Sequence, residues 1–160
     1  MKISEILKSG KVTVSFEVFP PKTEKGIKAV ERATREIASL RPSFMSVTYG
    51  AGNGTRERTG LIASEITSKY GVPAMAHLTC VSNTKEDIKN IVNELKAQGV
   101  ENILALRGDL PEGGETVKRD YTYASDLIAD IKKMGDFCIG GACYPDGHVE
   151  CHNKDEDILN

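Results

Sequence analysis

Residues 12–50 read VTVSFEVFPPKTEKGIKAVERATREIASLRPSFMSVTYG. The opening Val12–Phe19 alternates β-branched and aromatic residues at period two and stops at Pro20-Pro21, which marks a strand. From Thr23 to Leu40 the apolar residues Ile27, Val30, Ile37 and Leu40 recur at helical spacing among lysines, glutamates and arginines, an amphipathic helix. Phe44 to Tyr49 returns to strand character. Strand, helix and strand in this order make one βαβ unit, and working outward the unit repeats.

Arg56 to Tyr70 carries Leu61, Ile62 and Ile66 on one helical face, with Gly71 where that helix should end. Ala74 to Cys80 reads as a third strand. Thr84 followed by Asp87 forms a capping-box pattern opening a helix through Ile88, Ile91, Val92 and Leu95, closed by Gly99. Asn102–Leu106 is the fourth strand, Ala124–Met134 a helix after a long polar loop, and Phe137–Cys143 the fifth strand. Strand starts near 12, 44, 74, 102 and 137 are separated by roughly the 30 residues of a unit returning to a parallel neighbour. The fold class is α/β, one domain over residues 1–160. A (β/α)8 barrel cut after about five units is expected, with a flavodoxin-like open sheet as the alternative. The barrel is preferred because no early βα turn carries a phosphate-binding fingerprint.

Composition narrows the partners. With 21 basic and 23 acidic residues and a net charge of −2, nothing favours nucleic acid or an anionic membrane, and a small molecule is the expected ligand. The start Met1-Lys2-Ile3-Ser4-Glu5 lacks a secretory apolar stretch, and no run of about 18 apolar residues follows, so a cytoplasmic location is expected. Cys80, Cys138, Cys143 and Cys151 include no Cys-x-x-Cys pair and read as reduced thiols.

The unusual polar residues cluster at or just beyond the C-terminal ends of strands, the ligand-binding edge of parallel α/β folds. Glu17 shares a face with Thr13 and Ser15, opposite Val12, Val14, Phe16 and Val18, which are expected to pack on helices. Its carboxylate should point inward, partly desolvated, a setting in which a carboxyl holds its proton to higher pH and suits general-acid work. The alternative is a strand-end glutamate paired with a basic neighbour. Arg107-Gly108-Asp109 sets a cation, a flexible backbone site and an anion at one strand end, where the glycine would let a flat ligand approach the main chain. An adhesion reading of those three residues needs an extracellular loop and is set aside. His77 is a lone imidazole near a strand end, structural or ligand-binding. Gly50-Ala51-Gly52-Asn53-Gly54-Thr55 lacks the third glycine of a dinucleotide turn and reads as a mobile loop at the ligand face. Cys143, His148, Cys151 and His152 are residue types that zinc accepts, but their spacing matches no common finger or ribbon, and no metal is expected.

Six motifs in order, Ser15–Lys22 (SFEVFPPK), Ser46–Ala51 (SVTYGA), His77–Cys80 (HLTC), Leu106–Pro111 (LRGDLP), Tyr123–Leu127 (YASDL) and Tyr144-Pro145, resemble the methylenetetrahydrofolate reductase family. The resemblance runs from about residue 12 to the last residue. It implies a barrel carrying FAD at its strands' C-terminal ends, taking hydride from NADH, NADPH or a protein donor and reducing 5,10-methylenetetrahydrofolate to 5-methyltetrahydrofolate in one-carbon and methionine metabolism. Glu17 matches the family's proton donor and Asp109 its folate-binding aspartate. Thr48, Tyr49, Ala51, His77, Arg107, Gly108, Asp109, Ala124, Tyr144 and His148 would line the flavin site, with Asp157 and Asn160 at the adenosine end. No Rossmann turn is expected in this family, in accord with the incomplete glycine motif. Against that resemblance the chain stops where a fifth helix should begin, while a complete barrel needs about 250 residues. The expectation is a partial barrel with two open edges that self-associates or binds a completing chain, and that alone holds flavin or a partner with little turnover. A remnant that neither binds nor folds alone is the third possibility.

Overall fold

The computed structural model describes residues 1–50, 56–81, 83–109 and 120–148. Along the chain run α1 (Ile3–Lys8), β1 (Ser15–Val18), α2 (Glu24–Ser39), β2 (Phe44–Val47), α3 (Arg56–Tyr70), β3 (Ala74–Thr79), α4 (Lys85–Ala97), β4 (Asn102–Leu106), α5 (Ala124–Met134) and β5 (Cys138–Gly141). Local chemistry sets the boundaries. The Thr23 hydroxyl accepts from the Gly26 N–H to open α2, and Thr84 and Asp87 cap α4 reciprocally, at 3.2 and 2.9 Å. Gly71 and Gly99 follow α3 and α4 with φ of +67° and +75°.

All four strand pairings are parallel, and the sheet order is β1-β2-β3-β4-β5. A flavodoxin-like sheet places β1 between β2 and β3. Here β1 is an edge strand, so that alternative is excluded. In a sequential order every right-handed crossover lands on the same side. Thus α2 packs on β1, α3 on β2 and β3, and α5 on β4 and β5, with adjacent helices in contact.

This one-sided arrangement splits the sheet chemically. Met45, Val47, Ala76, Leu78, Ile103 and Ala105 face the helices and are fully buried. Each large aliphatic among them contributes about 1.5–3 kcal/mol by leaving water. The opposite face carries Glu17, Ser46, His77 and Thr79, with Phe44, Met75, Leu104 and Leu106 only half-buried. The apolar core therefore lies under the helices, and the other face is open to a ligand or to further structure.

Two expectations need correction. The first strand begins at Ser15, not Val12: β2 starts only at Phe44, its register partner for Ser15, and the preceding Pro42 has no N–H to donate. Val12 and Val14 consequently do not pack on helices; they are 94% and 54% exposed, and Phe16 is half-buried. The second correction is α1, which the sequence pattern did not announce. It is held across the amino-terminal end of the sheet by Asn102, whose side chain accepts from the Ile3 N–H at 2.8 Å and donates to the carbonyls of Met1 and Ala74 at 3.2 and 3.0 Å. Ion pairs from the Met1 ammonium to Glu101 and from Lys2 to Asp136 reinforce it.

Asn102 is 2% exposed, so removing its amide strands a buried donor and a buried acceptor. Asn102→Ala should lower unfolding free energy by about 2–4 kcal/mol in urea titrations and expose the first ten residues to proteolysis; a change under about 0.5 kcal/mol would show that α1 does not depend on it.

Candidate active site

Parallel register brings residues from three strands together on the open face. Glu17 on β1 is level with Ser46 on β2, and His77 on β3 lies one inner-face step beyond Met75, the register partner of Ser46. The Ser46 hydroxyl donates to Glu17 Oε2 at 3.2 Å. His77 Nε2 lies 3.4 Å from the same oxygen, within ion-pair range but without hydrogen-bond geometry, so this buried nitrogen has no hydrogen-bond partner among the described residues.

The burden of desolvation differs from the sequence expectation. The Glu17 side chain is 44% exposed, because β1 is an edge strand, whereas that of His77 is 10% exposed. Burial holds the imidazole below the ordinary histidine range, with Glu17 pulling weakly the other way. His77 is therefore a neutral imidazole at physiological pH.

The other anticipated residues follow the same ends of the strands. Thr48 and Tyr49 come directly after β2; the Thr48 carbonyl accepts from the Thr59 hydroxyl at 3.0 Å, and the Tyr49 hydroxyl accepts from Asn83 Nδ2 at 3.1 Å. Asn83 is almost fully buried and also donates to the Thr79 carbonyl at 2.7 Å, tying the ends of β2 and β3. After β4, Arg107 Nε donates to the Gly108 carbonyl at 3.2 Å, and Asp109 is exposed. Gly108 has φ +83°, and a Cβ there would meet Thr79 Cβ and Val81 Cγ1, each at 3.0 Å. A close approach that favours glycine here is thus to the end of β3. Ala124 is the first residue of α5, whose start is fixed by Asp126 accepting from the Thr122 and Tyr123 N–H groups at 3.2 Å. Past β5, Tyr144 meets His148 edge to face, with ring centroids 4.9 Å apart. Ala51, Asp157 and Asn160 lie outside the described residues, as do Cys151, His152 and most of the glycine-rich loop.

Glu17 and His77 are therefore brought into contact, while Thr48, Tyr49, Arg107, Asp109 and Tyr144 share an edge of the sheet. Ser46 and Asn83 carry connections that residue-type reasoning passed over. Alternation of Met45, Ser46 and Val47 on β2 was the available signal for the first; Asn83 lies in a loop and had none.

The methylenetetrahydrofolate reductase family model matches residues 2–160. The chain is 40% identical to the 5,10-methylenetetrahydrofolate reductase of Escherichia coli (strain K12) over 151 residues, covering 94% of this chain and 50% of that protein. It is 36% identical to methylenetetrahydrofolate reductase (NADH) 1 of Arabidopsis thaliana, covering 96% of this chain and 27% of that protein. The chain thus spans about half the length of its bacterial relatives. Among solved structures, the 4-hydroxy-tetrahydrodipicolinate synthase of Methylacidiphilum fumariolicum SolV superposes with a TM-score of 0.59 at 15% identity, over 85% of this chain and 45% of that one, a likeness of fold alone.

The His77 finding has a pH consequence. Its folded value lies below the unfolded value of 6.5, so as pH falls the unfolded chain takes up the proton first and stability drops; above about pH 6.5 this contribution is complete. Replacing His77 by Gln should flatten the stability profile on the acid side of pH 6.5. An NMR titration placing His77 at or above 6.5 in the folded chain would contradict the burial argument.

Proposed function

The chain belongs to the methylenetetrahydrofolate reductase family, and we propose that, in a barrel completed to eight strands within the same chain or by another, it reduces 5,10-methylenetetrahydrofolate to 5-methyltetrahydrofolate. The observation that carries this reading is the convergence of Glu17, Ser46 and His77 on the open face, at the strand ends where parallel α/β folds bind ligands. Opening the methylene bridge requires protonation of a folate nitrogen to give an iminium cation. Glu17, within reach of solvent and of anything lying over the sheet, is the proton donor. Asp109, an exposed carboxylate beyond β4, supplies the negative charge that stabilises the cation.

The donor set suits a flat, polar cofactor: a buried imidazole nitrogen with no hydrogen-bond partner among the described residues, the Arg107 guanidinium, and hydroxyls at Thr48 and Tyr49. FAD held there would supply the hydride, itself drawn from NADH, NADPH or a protein donor. Thr48, Tyr49, Ala51, His77, Arg107, Gly108, Asp109, Ala124, Tyr144 and His148 line its site in this reading, with Asp157 and Asn160 toward the adenosine. A second reading rests on the half-length match to relatives: the 160 residues alone retain flavin or a completing chain without turnover. Supplying FAD and a reduced donor to the isolated chain distinguishes the two, since folate turnover supports the first and flavin retention without turnover the second.

In the completed enzyme, Glu17→Gln should slow reduction of methylenetetrahydrofolate by about 10²–10⁴-fold while the donor reduces the flavin at close to the wild-type rate. Stopped-flow measurement of the two half-reactions decides it; equal impairment of both would remove Glu17 from the acid role.

A further inference from the structure

Glu17 presents its two carboxyl oxygens differently. Oε2 accepts from the Ser46 hydroxyl and faces His77 Nε2, whereas Oε1 has no partner among the described residues. Ser46 is itself buried, 7% exposed, on the open face of β2. His77 is buried as well, and among the described residues Glu17 is the titratable group that acts on its imidazole. A glutamate on an edge strand with 44% of its side chain exposed would otherwise sample several rotamers.

We propose that Ser46 is a positioning residue that holds Glu17 Oε2, with the neutral His77 imidazole beside that oxygen, leaving Oε1 as the oxygen that carries the transferable proton toward the folate nitrogen. The catalytic part of this inference rests on the function proposed above; the clamp itself does not. In the proton-transfer step the Oε1–H bond breaks and an N–H bond forms on folate. The resulting carboxylate keeps the Ser46 hydrogen bond on Oε2 and regains its proton from solvent. A neutral imidazole beside Oε2 serves this cycle, since an imidazolium would hold the carboxyl as its anion and repel the folate cation.

The clamp has a readout independent of turnover. The Glu17 charge raises the His77 titration point against the effect of burial, so freeing Glu17 to swing away should lower it. In NMR titrations of the full chain, Ser46→Ala should shift the His77 titration to lower pH, toward that of Glu17→Gln. In the completed enzyme, Ser46→Ala should reduce the folate half-reaction about tenfold, chiefly in kcat. Because removing a buried hydroxyl can loosen the strand, Ser46→Cys supplies a second variant, keeping a weak donor and expected to fall between Ala and wild type in both readouts. A His77 titration unchanged in Ser46→Ala, or an unchanged folate rate, overturns the proposal. A shifted His77 in an enzyme that reduces no folate would uphold the clamp and overturn the function assigned to it.

Discussion

The register between β1 and β2 is the constraint on which the rest depends. In a parallel sheet, residues level with one another project to the same side, so pairing Glu17 with Ser46 puts both on the face away from the helices, and the next pairing carries His77 to that face as well. A slip of one residue would send Glu17 under α2 and bring Val18 out into solvent. Burial of Val18, Met45 and Val47 beneath the helices holds the register, so the packing of the apolar face fixes the geometry of the polar one.

The open face is organised along its length as well as across it. At the amino-terminal end Asn102 and the N-terminal segment fill the space with hydrogen bonds and ion pairs. Toward the carboxyl-terminal end the occupants change to Glu17, Ser46, His77 and the loop residues beyond. Asn83 joins the β2 and β3 ends, and Gly108 lets the chain after β4 press against Thr79 and Val81. These contacts steady the loops without occupying the face itself. The anchoring contacts and the proposed chemistry thus fall at opposite ends of the sheet, the division general in barrels of parallel strands.

Much of this was legible in the sequence, for identifiable reasons. The helices Arg56–Tyr70 and Ala124–Met134 coincide with the expected spans because apolar spacing and flanking signals agree there. The even spacing of βα units gave a parallel sheet, and the missing phosphate fingerprint favoured the sequential strand order that the sheet adopts. The start of β1 was misplaced because alternation in Val12–Phe19 marks strand character but not where a partner strand begins. Helix α1 was invisible, since six residues with one buried side chain are held by an amide 99 positions away. Glu17 and His77 could be chosen by residue type, but their contact could not, and the desolvation expected at Glu17 falls on His77 because only the register shows which strand is the edge.

The central claim is that the polar face of this sheet protonates folate through Glu17. A crystal structure of the completed, flavin-loaded protein with a bound folate tests it most directly. The account predicts the folate nitrogen within about 3.2 Å of Glu17 Oε1, with Oε2 still on Ser46. A folate seated at the amino-terminal end of the sheet, or with its nitrogens turned away from Glu17, would contradict it.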